Sequence, residues 1–418
     1  MRQIIFAPLA SIGSQNFVYD HKADRWTLDE DAVNRLFCAT GNAGSTGIRI
    51  IPYNPWNEHP HGIKSQFQPY ALNADCTAFN LGAFNDWYFP LVRRYIEIAK
   101  TYGQTTIFAL LDNCQFAGDY KKWLPWSNNT QGIGTFYESK AWPFVKTWFE
   151  KCLVEFDGLG ITWSWGNECN KPAMVDLVKN ALLPVVLAKG LDFKKLCYGA
   201  TMERVEYKPK PDDWVPTPEQ PRWDYYPGMA GTLDWLKKLV ADTIGGVAGD
   251  KAKLAIWKEV HSIGGKGYPD HGNPYEQAMY WWARPENNGI RILLSNDGVF
   301  DGDSLCDIAV DPGHPTGRRP SAERMAEIVK DSLQYKNDMI YEHLPKTRDI
   351  ACVTATLRAM YKEMEGEEPE EKYHYDPPVP PDPPEPPPPP TPPAQKLNPW
   401  IVGAIIAAAL AILVLVLL

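Results

Sequence analysis

Two glutamates stand at the ends of short apolar segments whose pattern predicts β-strands. Glu168 follows the apolar run of residues 159–165 and is preceded by Asn167. Glu259 ends the run of residues 254–259. A pair of carboxyl groups can act as general acid, general base or nucleophile on one bond. The alternative for Glu168 is a helix cap, because a helix is predicted to begin just after it.

Strand-like and helix-like segments alternate along most of the chain. Repeated units with short, continuously apolar strands are typical of a parallel sheet covered by helices. About eight such units fit a (β/α)8 TIM barrel, an α/β fold. A doubly wound open sheet is the alternative, but the Gly-rich phosphate loop usual after its early strands is absent from this sequence. The predicted strands are residues 3–10, 47–52, 105–111, 159–165, 196–200, 223–226, 254–259 and 290–295, and a closing helix is predicted over 321–335.

Polar residues gather where these strands end, which is where a barrel places its functional groups. On this count Glu168 ends strand four and Glu259 ends strand seven. Those two strands face each other across the barrel mouth, so the two carboxyl groups can flank one bond. Arg49 lies on strand two, within the sequence GIRIIP.

Asn-Glu at the end of strand four and a single Glu at the end of strand seven resemble the clan of retaining (β/α)8 glycoside hydrolases that includes the cellulase and mannanase families. The resemblance covers residues 1–345. It implies that Glu168 is the acid/base, Asn167 binds the sugar 2-hydroxyl and Glu259 is the nucleophile. Arg49 matches the strand-two arginine that contacts the nucleophile. The implied reaction is double displacement on the O-glycosidic bonds of an oligo- or polysaccharide, without a cofactor.

The sequence differs from the clan's pattern at several strand ends. Asp112 and Asn113 stand where a histidine often follows strand three. Asn296 and Asp297 stand where a tryptophan often ends strand eight. The alternative functions are therefore a catalytically inactive carbohydrate-binding protein, or an envelope-displayed structural protein, on the same fold.

Aromatic residues make up 12% of the chain, including 16 Trp. Sugar rings stack on aromatic faces, although many tryptophans are core residues. Trp163 and Trp257 alternate with apolar residues, so packing inside the barrel is an alternative for them. The predicted substrate-binding residues are Arg49, Asn167, Asp112, Asn113, Trp56, Trp165, Trp257, His261, Asn296 and Asp297.

Composition and motifs exclude other classes of protein. The net charge of −9 argues against nucleic-acid binding, which needs a basic surface. The eight cysteines include no CxxC pair, so a zinc or redox site is not expected. His59 and His61 flank a proline in a predicted loop, and the acidic loop 297–303 lacks the EF-hand spacing. No metal site is predicted.

The C-terminal part of the chain has a different composition. Residues 363–371 are acidic, and residues 377–393 are mostly proline, which forms an extended polyproline II rod. Residues 399–418 are apolar and uncharged, and about 20 such residues span a bilayer. The predicted organisation is a catalytic barrel over 1–362, a linker over 363–398 and a transmembrane tail anchor over 399–418. The barrel is expected on the cytoplasmic side of a membrane, with a viral or phage envelope as an alternative setting.

Overall fold

The structure is a computed structural model of the chain. It describes residues 4–6, 17–20, 22–23, 25–51, 63, 67–112, 124–166, 169, 173–191, 196–200, 255–258, 291–295, 338–341, 350, 354, 357–358, 361–362 and 365–377.

Strands and helices alternate in the described part of the chain. The strands are β1 (Ile4–Phe6), β2 (Phe17–Asp20), β3 (Arg25–Leu28), β4 (Gly47–Ile50), β5 (Tyr70–Leu72), β6 (Phe79–Phe84), β7 (Thr105–Ala109), β8 (Thr162–Ser164), β9 (Leu196–Ala200), β10 (Ala255–Lys258), β11 (Arg291–Ser295) and β12 (Asp338–Tyr341). The helices are α1 (Glu30–Asn42), α2 (Tyr88–Thr101), α3 (Trp142–Glu155), α4 (Ala173–Leu177) and α5 (Leu183–Lys189), with a 3-10 turn (Ser139–Ala141) before α3 and a π-helical segment (Val178–Leu182) between α4 and α5.

Eight of these strands close a barrel in the order β1, β4, β7, β8, β9, β10, β11, β12. Every neighbouring pair is parallel, and β1 pairs with β4 on one side and with β12 on the other. The barrel predicted from the sequence is confirmed, and the open doubly wound sheet is excluded because that sheet has two unpaired edges.

The predicted numbering of the last strands is wrong. β9 pairs directly with β10, so no strand from residues 201–254 enters the barrel between them. The segment predicted as strand seven is therefore the sixth barrel strand, β10, and the segment predicted as strand eight is the seventh, β11. The eighth is β12 (Asp338–Tyr341), which the sequence analysis missed because four residues beginning with aspartate form no distinct apolar run.

Local sequence explains how α1 forms and packs. The side chain of Asp29 accepts a hydrogen bond of 3.0 Å from the Ala32 N–H, which caps the N-terminus of the helix. Val33, Leu36 and Phe37 are buried, and this spacing places them on one face of the helix. That face packs into the apolar layer between the barrel and its helices.

Two antiparallel hairpins interrupt the regular alternation. The first, β2–β3, lies between β1 and α1, and the second, β5–β6, lies between β4 and α2. Both are therefore connections from a barrel strand to the following helix. Such connections lie at the C-terminal face of a barrel, so the hairpins belong to the same face as the predicted active site.

The end of the acidic segment packs against the barrel. We call residues 366–376 the C-terminal strap. Tyr373 packs against Tyr102, with ring centroids 5.7 Å apart, and the hydroxyl of Tyr375 donates to Asp31 at 2.8 Å. The compact unit that holds the barrel accordingly extends to Asp376, beyond the predicted boundary at residue 362, and Pro377–Leu418 form a second unit.

The predicted transmembrane anchor, residues 399–418, lies outside the described residues. Among the described helices, none has both the length and the apolar character needed to cross a membrane.

Candidate active site

Arg49 lies inside the barrel. Its register partner on β7 is Ile107, whose partner on β8 is Thr162, and residues in register share one face of a parallel sheet. The alternating residues Phe108 and Trp163 point outward, because their rings contact aromatic rings of the α3 region. The Arg49 side chain therefore points into the barrel, as a residue that contacts the nucleophile must.

Arg49 and Asp112 are ionisable residues that are almost completely buried. Arg49 is 4% exposed, and Asp112, just after β7, is 1% exposed. Charged side chains are rarely buried to this extent, because desolvation destabilises the ionised form unless polar partners compensate for it. Both residues take part in polar interactions. A basic side chain on β4 and an acidic side chain just after β7 are thus both buried, close to where these neighbouring barrel strands end.

The segment that follows β8 turns sharply. The Ser164 hydroxyl donates to the carbonyl oxygen of Gly166 at 3.3 Å, and Gly166 itself is buried. A Cβ atom added to Gly166 would overlap the sulfur of Cys169 and lie 3.2 Å from the carbonyl oxygen of Leu111. Glycine is therefore required here by close approach. The predicted Asn167 and Glu168 lie in sequence between these two described, buried positions, and are themselves outside the described residues.

The ends of β7 and β8 are held together. The Leu110 N–H donates to the Ser164 carbonyl at 2.8 Å, which extends the pairing beyond β7. The Leu110 carbonyl in turn accepts a hydrogen bond of 2.9 Å from the indole N–H of Trp148 on α3. Since Leu111 lies against Gly166, the buried Asp112 stands beside the turn that leads to Glu168. Trp148 and Cys169 were not predicted as site residues, because their apolar neighbours in the sequence give no catalytic pattern.

Two tryptophans near this turn have packing roles. Trp165 is completely buried, and its ring centroid lies 6.1 Å from that of Phe149 on α3. Trp163 is 5% exposed and packs on Phe149 and Phe108. The Trp165 indole therefore belongs to the apolar packing between the barrel and α3, and its contact with substrate stays a prediction.

A wall of three connections borders the first strands of the barrel. Phe67, which precedes the second hairpin, contacts Phe17 of the first at a centroid distance of 4.5 Å. The second hairpin contacts the connection between β7 and α3, since Phe79 N–H donates to the Asn128 carbonyl at 3.0 Å. Tyr70 and Trp126 pack across the same junction at 5.6 Å. The first three connections from a barrel strand to a helix therefore pack against one another at the C-terminal face of the barrel.

Comparison with known proteins agrees with the geometry of the barrel. No protein-family model matches the sequence, and the search of curated proteins finds no match. Among solved structures, a trimodular endoglucanase of glycoside hydrolase subfamily GH5_4 superposes with a TM-score of 0.50 at 13% identity, over 87% of this chain and 60% of that one. The chain therefore spans less than two thirds of that endoglucanase. The likeness shows that the chain has the fold of these barrel enzymes, and it concerns the fold alone.

Two further solved structures in the comparison match with lower TM-scores. A glycoside hydrolase family 5 enzyme of Prevotella bryantii, in complex with a xyloglucan tetradecasaccharide, has a TM-score of 0.48 at 11% identity, over 87% of this chain and 96% of that one. The endo-β-1,4-mannanase of Thermotoga petrophila has a TM-score of 0.46 at 14% identity, over 86% and 78%. The resemblance to the cellulase and mannanase clan is confirmed at the level of the fold.

Several predicted site residues remain predictions. The side chain of Trp257 on β10 is not described, and the other members of this group lie outside the described residues: Trp56, Asn113, Asn167, Glu168, Glu259, His261, Asn296 and Asp297. The corrected strand order nevertheless changes their setting. Glu259 follows the sixth barrel strand, two positions from β8, while Asn296 and Asp297 follow the seventh.

Metal binding was not predicted, and the described residues contain no cluster of three or more His, Cys, Asp or Glu side chains suited to a metal ion. The predicted loops with His59 and His61, and with residues 297–303, lie outside that part of the chain.

Proposed function

We propose that the protein is a retaining glycoside hydrolase that cleaves O-glycosidic bonds in an oligo- or polysaccharide. One observation carries the proposal. The barrel brings a buried interior arginine on β4, a buried aspartate after β7 and a tightly closed turn after β8 to the C-terminal face. The turn leads into Asn-Glu, the pair whose resemblance to the clan was noted above.

The proposed reaction has two steps. In the first, the carboxylate of Glu259 attacks the anomeric carbon while the glycosidic C–O bond breaks, and Glu168 gives its proton to the leaving oxygen. In the second, Glu168 takes a proton from water, the water oxygen bonds to the anomeric carbon, and the ester bond to Glu259 breaks. Arg49 would favour the ionised form of the nucleophile by its positive charge, and Asn167 would bind the sugar 2-hydroxyl.

The spacing of the strands bears on the stereochemistry. Neighbouring strands lie about 4.8 Å apart, so two strand intervals separate the ends of β8 and β10 by roughly 10 Å along the barrel wall. Two glutamate side chains directed toward the centre can reduce this to the 5–5.5 Å of a retaining pair or leave the 6.5–9.5 Å of an inverting pair. Proton NMR of the first-formed product distinguishes the two, and we expect the anomer of the substrate.

The corrected strand order favours a second candidate for the nucleophile. Asp297 follows β11, the seventh barrel strand, and the clan that the chain resembles carries its nucleophile at the end of that strand. Aspartate is one methylene shorter than glutamate but has the same chemistry. We keep Glu259 as the nucleophile, because it directly ends its apolar segment, and Asp297 is tested beside it.

The decisive experiment compares Glu168→Gln, Glu259→Gln and Asp297→Asn in the full chain. The substrates are aryl glycosides, cello- and manno-oligosaccharides and xyloglucan. Loss of the acid/base or of the nucleophile should lower kcat by about 10²–10⁴-fold. Glu150→Gln on α3, at a half-exposed glutamate that pairs with Lys146, is the matched control and should keep full activity. If binding persists in the parent protein while no substrate is hydrolysed, the inactive binding protein replaces the enzyme.

We further propose that residues 399–418 anchor the protein in a bilayer. The support is their sequence alone, about 20 apolar residues without a charge. Membrane fractionation of the full chain, followed by protease treatment of intact vesicles, tests the anchor and its orientation. A full-length chain that remains in the supernatant after ultracentrifugation would contradict the anchor without affecting the proposed catalysis.

A further inference from the structure

The turn after β8 is closed by a direct contact between its first and last described residues. Gly166 and Cys169 are both buried, with Cys169 only 1% exposed. The sulfur of Cys169 occupies the place that a Cβ atom of residue 166 would take, and its own Cβ would lie 3.2 Å from that position. The chain therefore folds back on itself within three peptide units.

The backbone just after β7 packs against the other side of Gly166. The carbonyl oxygen of Leu111 lies on the other side of Gly166, 3.2 Å from the position of the added Cβ. The adjoining Leu110 is held at its N–H by Ser164 and at its carbonyl by the indole of Trp148. Trp148 is itself completely buried. Gly166 is thus confined between the end of β7 and the side chain of Cys169.

Asn167 and Glu168 lie in sequence between these two buried ends. Fixing both ends of a short segment removes most of its backbone conformations, so the entropy of ordering such a segment is lost when the protein folds and not when a ligand binds. A proton donor that is held in place in advance favours catalysis, because a displacement of about 1 Å can lower a rate by about 10²-fold.

We propose that Gly166 and Cys169 are positioning residues for Asn167 and Glu168: their packing sets the place from which the proton is delivered. The inference rests on the proposed function, because it assumes Glu168 as the acid/base. Sulfur suits this place, because it is compact and largely apolar. A serine oxygen is smaller and requires hydrogen bonds when buried, and an alanine leaves the space above Gly166 empty.

The test uses the full chain and two aryl glycosides of the same sugar. One has a good leaving group, 2,4-dinitrophenolate, and the other a poor one, phenolate. A poor leaving group requires protonation as the bond breaks, whereas a good one does not. Cys169→Ala should therefore lower kcat/KM, which reports formation of the glycosyl-enzyme, by about 10–100-fold on the phenyl glycoside and by less than about 3-fold on the dinitrophenyl glycoside.

Cys152→Ala is the matched control. Cys152 is a completely buried thiol on α3, so its loss removes similar apolar contacts away from the turn. We expect it to reduce thermal stability without any loss of kcat/KM that depends on the leaving group. Equal losses on both substrates for Cys169→Ala would show a merely structural role and overturn the inference. Cys169→Ser supplies the same comparison if the alanine variant does not fold.

A second variant pair tests the contact itself. Gly166→Ala should strongly lower activity on the phenyl glycoside, because its methyl group overlaps the sulfur of Cys169. In the double variant with Cys169→Ala, that methyl group enters the vacated space, so activity should exceed that of Gly166→Ala alone. A double variant as impaired as additivity predicts would contradict the packing contact.

The two proposals fail in different ways. If Glu168→Gln shows no dependence on the leaving group, then Glu168 is not the proton donor, and both the proposed mechanism and the positioning role fall. If Glu168→Gln shows the dependence and Cys169→Ala does not, only the positioning role falls.

Discussion

The side chain of Asn42 binds the backbone of Tyr373, 331 residues away in the sequence. Its amide nitrogen donates to the Tyr373 carbonyl at 2.8 Å, and its oxygen accepts from the N–H groups of Lys372 and Tyr373 at 2.9 and 2.8 Å. Asn42 is the last residue of α1. One side chain thus fixes the backbone of the C-terminal strap to the end of the first helix.

Replacing Asn42 by alanine should release the strap. The variant loses its three hydrogen bonds to the strap, and a typical hydrogen bond contributes about 0.5–1.5 kcal/mol, so we expect the free energy of unfolding to fall by about 1.5–4.5 kcal/mol. Hydrogen exchange of the Lys372 and Tyr373 amides should accelerate, because both would lose their acceptor. Mass spectrometry of peptides that cover the strap measures that exchange.

Asn73→Ala is the control for this prediction. The Asn73 side chain makes three comparable hydrogen bonds, to Thr77 and to the N–H of Ala78, but within the second hairpin. Its loss should leave exchange in the strap unchanged. Strap amides that remain as protected in Asn42→Ala as in the parent protein would show that the aromatic contacts of Tyr373 suffice to hold it.

Gly103→Ala should destabilise the same junction for two reasons. Gly103 has a φ of 72°, a left-handed conformation that costs other residues about 1–2 kcal/mol. In addition, its new Cβ would overlap the hydroxyl oxygen of Tyr373. The double variant with Tyr373→Phe removes that oxygen and leaves the nearest ring carbon at 3.2 Å, so part of the stability should return. Urea denaturation of the single and double variants measures both effects.

Gly158→Ala separates backbone strain from overlap. Gly158 has a φ of 79°, yet a Cβ atom there would meet nothing within 4 Å. The stability of Gly158→Ala should therefore fall only by the energy of the left-handed backbone conformation. Equal destabilisation at both glycines would contradict the contact between Gly103 and Tyr373.

The barrel could be predicted from sequence because its strands are short apolar runs separated by amphipathic helices. That pattern placed β9 at Leu196–Ala200, where the structure has it. The same pattern missed β12, whose four residues have no apolar periodicity, and the strand predicted over 223–226 shifted the numbering of the two predicted strands after it by one. Nor could it foresee the strap, because the acidic composition of residues 363–371 describes solubility, whereas docking depends on Asn42, Tyr102 and Gly103 far away in sequence.

The candidate site was predicted in the same uneven way. Arg49 was recognisable as a charge within an apolar strand, and the structure buries it inside the barrel. The burial of Trp165 depends on Phe149 of α3, a contact that a linear pattern does not reveal. The tightness of the Gly166 turn likewise depends on Leu111, which belongs to another strand end.

Glu30 and Arg94 predict a small dependence of stability on pH. Hydrogen bonding to Arg94, at 3.0 and 2.7 Å, holds the pKa of Glu30 below its ordinary value of 4.5. A lowered pKa stabilises the folded state above the ordinary value, and this contribution is lost as the pH falls through the folded pKa. Both side chains are about half exposed, so solvent screening limits the effect to a few tenths of a kcal/mol.

The measurement compares the parent protein with Glu30→Gln by thermal unfolding between pH 7 and pH 3. The difference in Tm should be largest at neutral pH and should decrease as the pH falls and Glu30 becomes protonated. Arg94→Gln removes the same interaction, so combining the two changes should add little to either alone. A difference that grows toward low pH has the wrong sign for this ion pair.

Gln131 provides a test of whether the wall of connections binds substrate. Its side-chain oxygen accepts from the Leu81 N–H at 3.1 Å, and its nitrogen donates to Asn80 at 2.9 Å, which joins the second hairpin to the connection before α3. Gln131→Ala should loosen this junction. If the protein is the proposed hydrolase, KM for a long oligosaccharide should rise several-fold while kcat and KM for an aryl glycoside remain unchanged, because the small substrate does not extend to the wall.

Gln104→Ala is the matched control, since Gln104 bonds to Thr40 at 2.8 Å just before β7, at the opposite end of the barrel. It should lower stability without affecting KM for either substrate. A Gln131 variant whose KM changes equally for long and short substrates would exclude the wall as an extended binding surface.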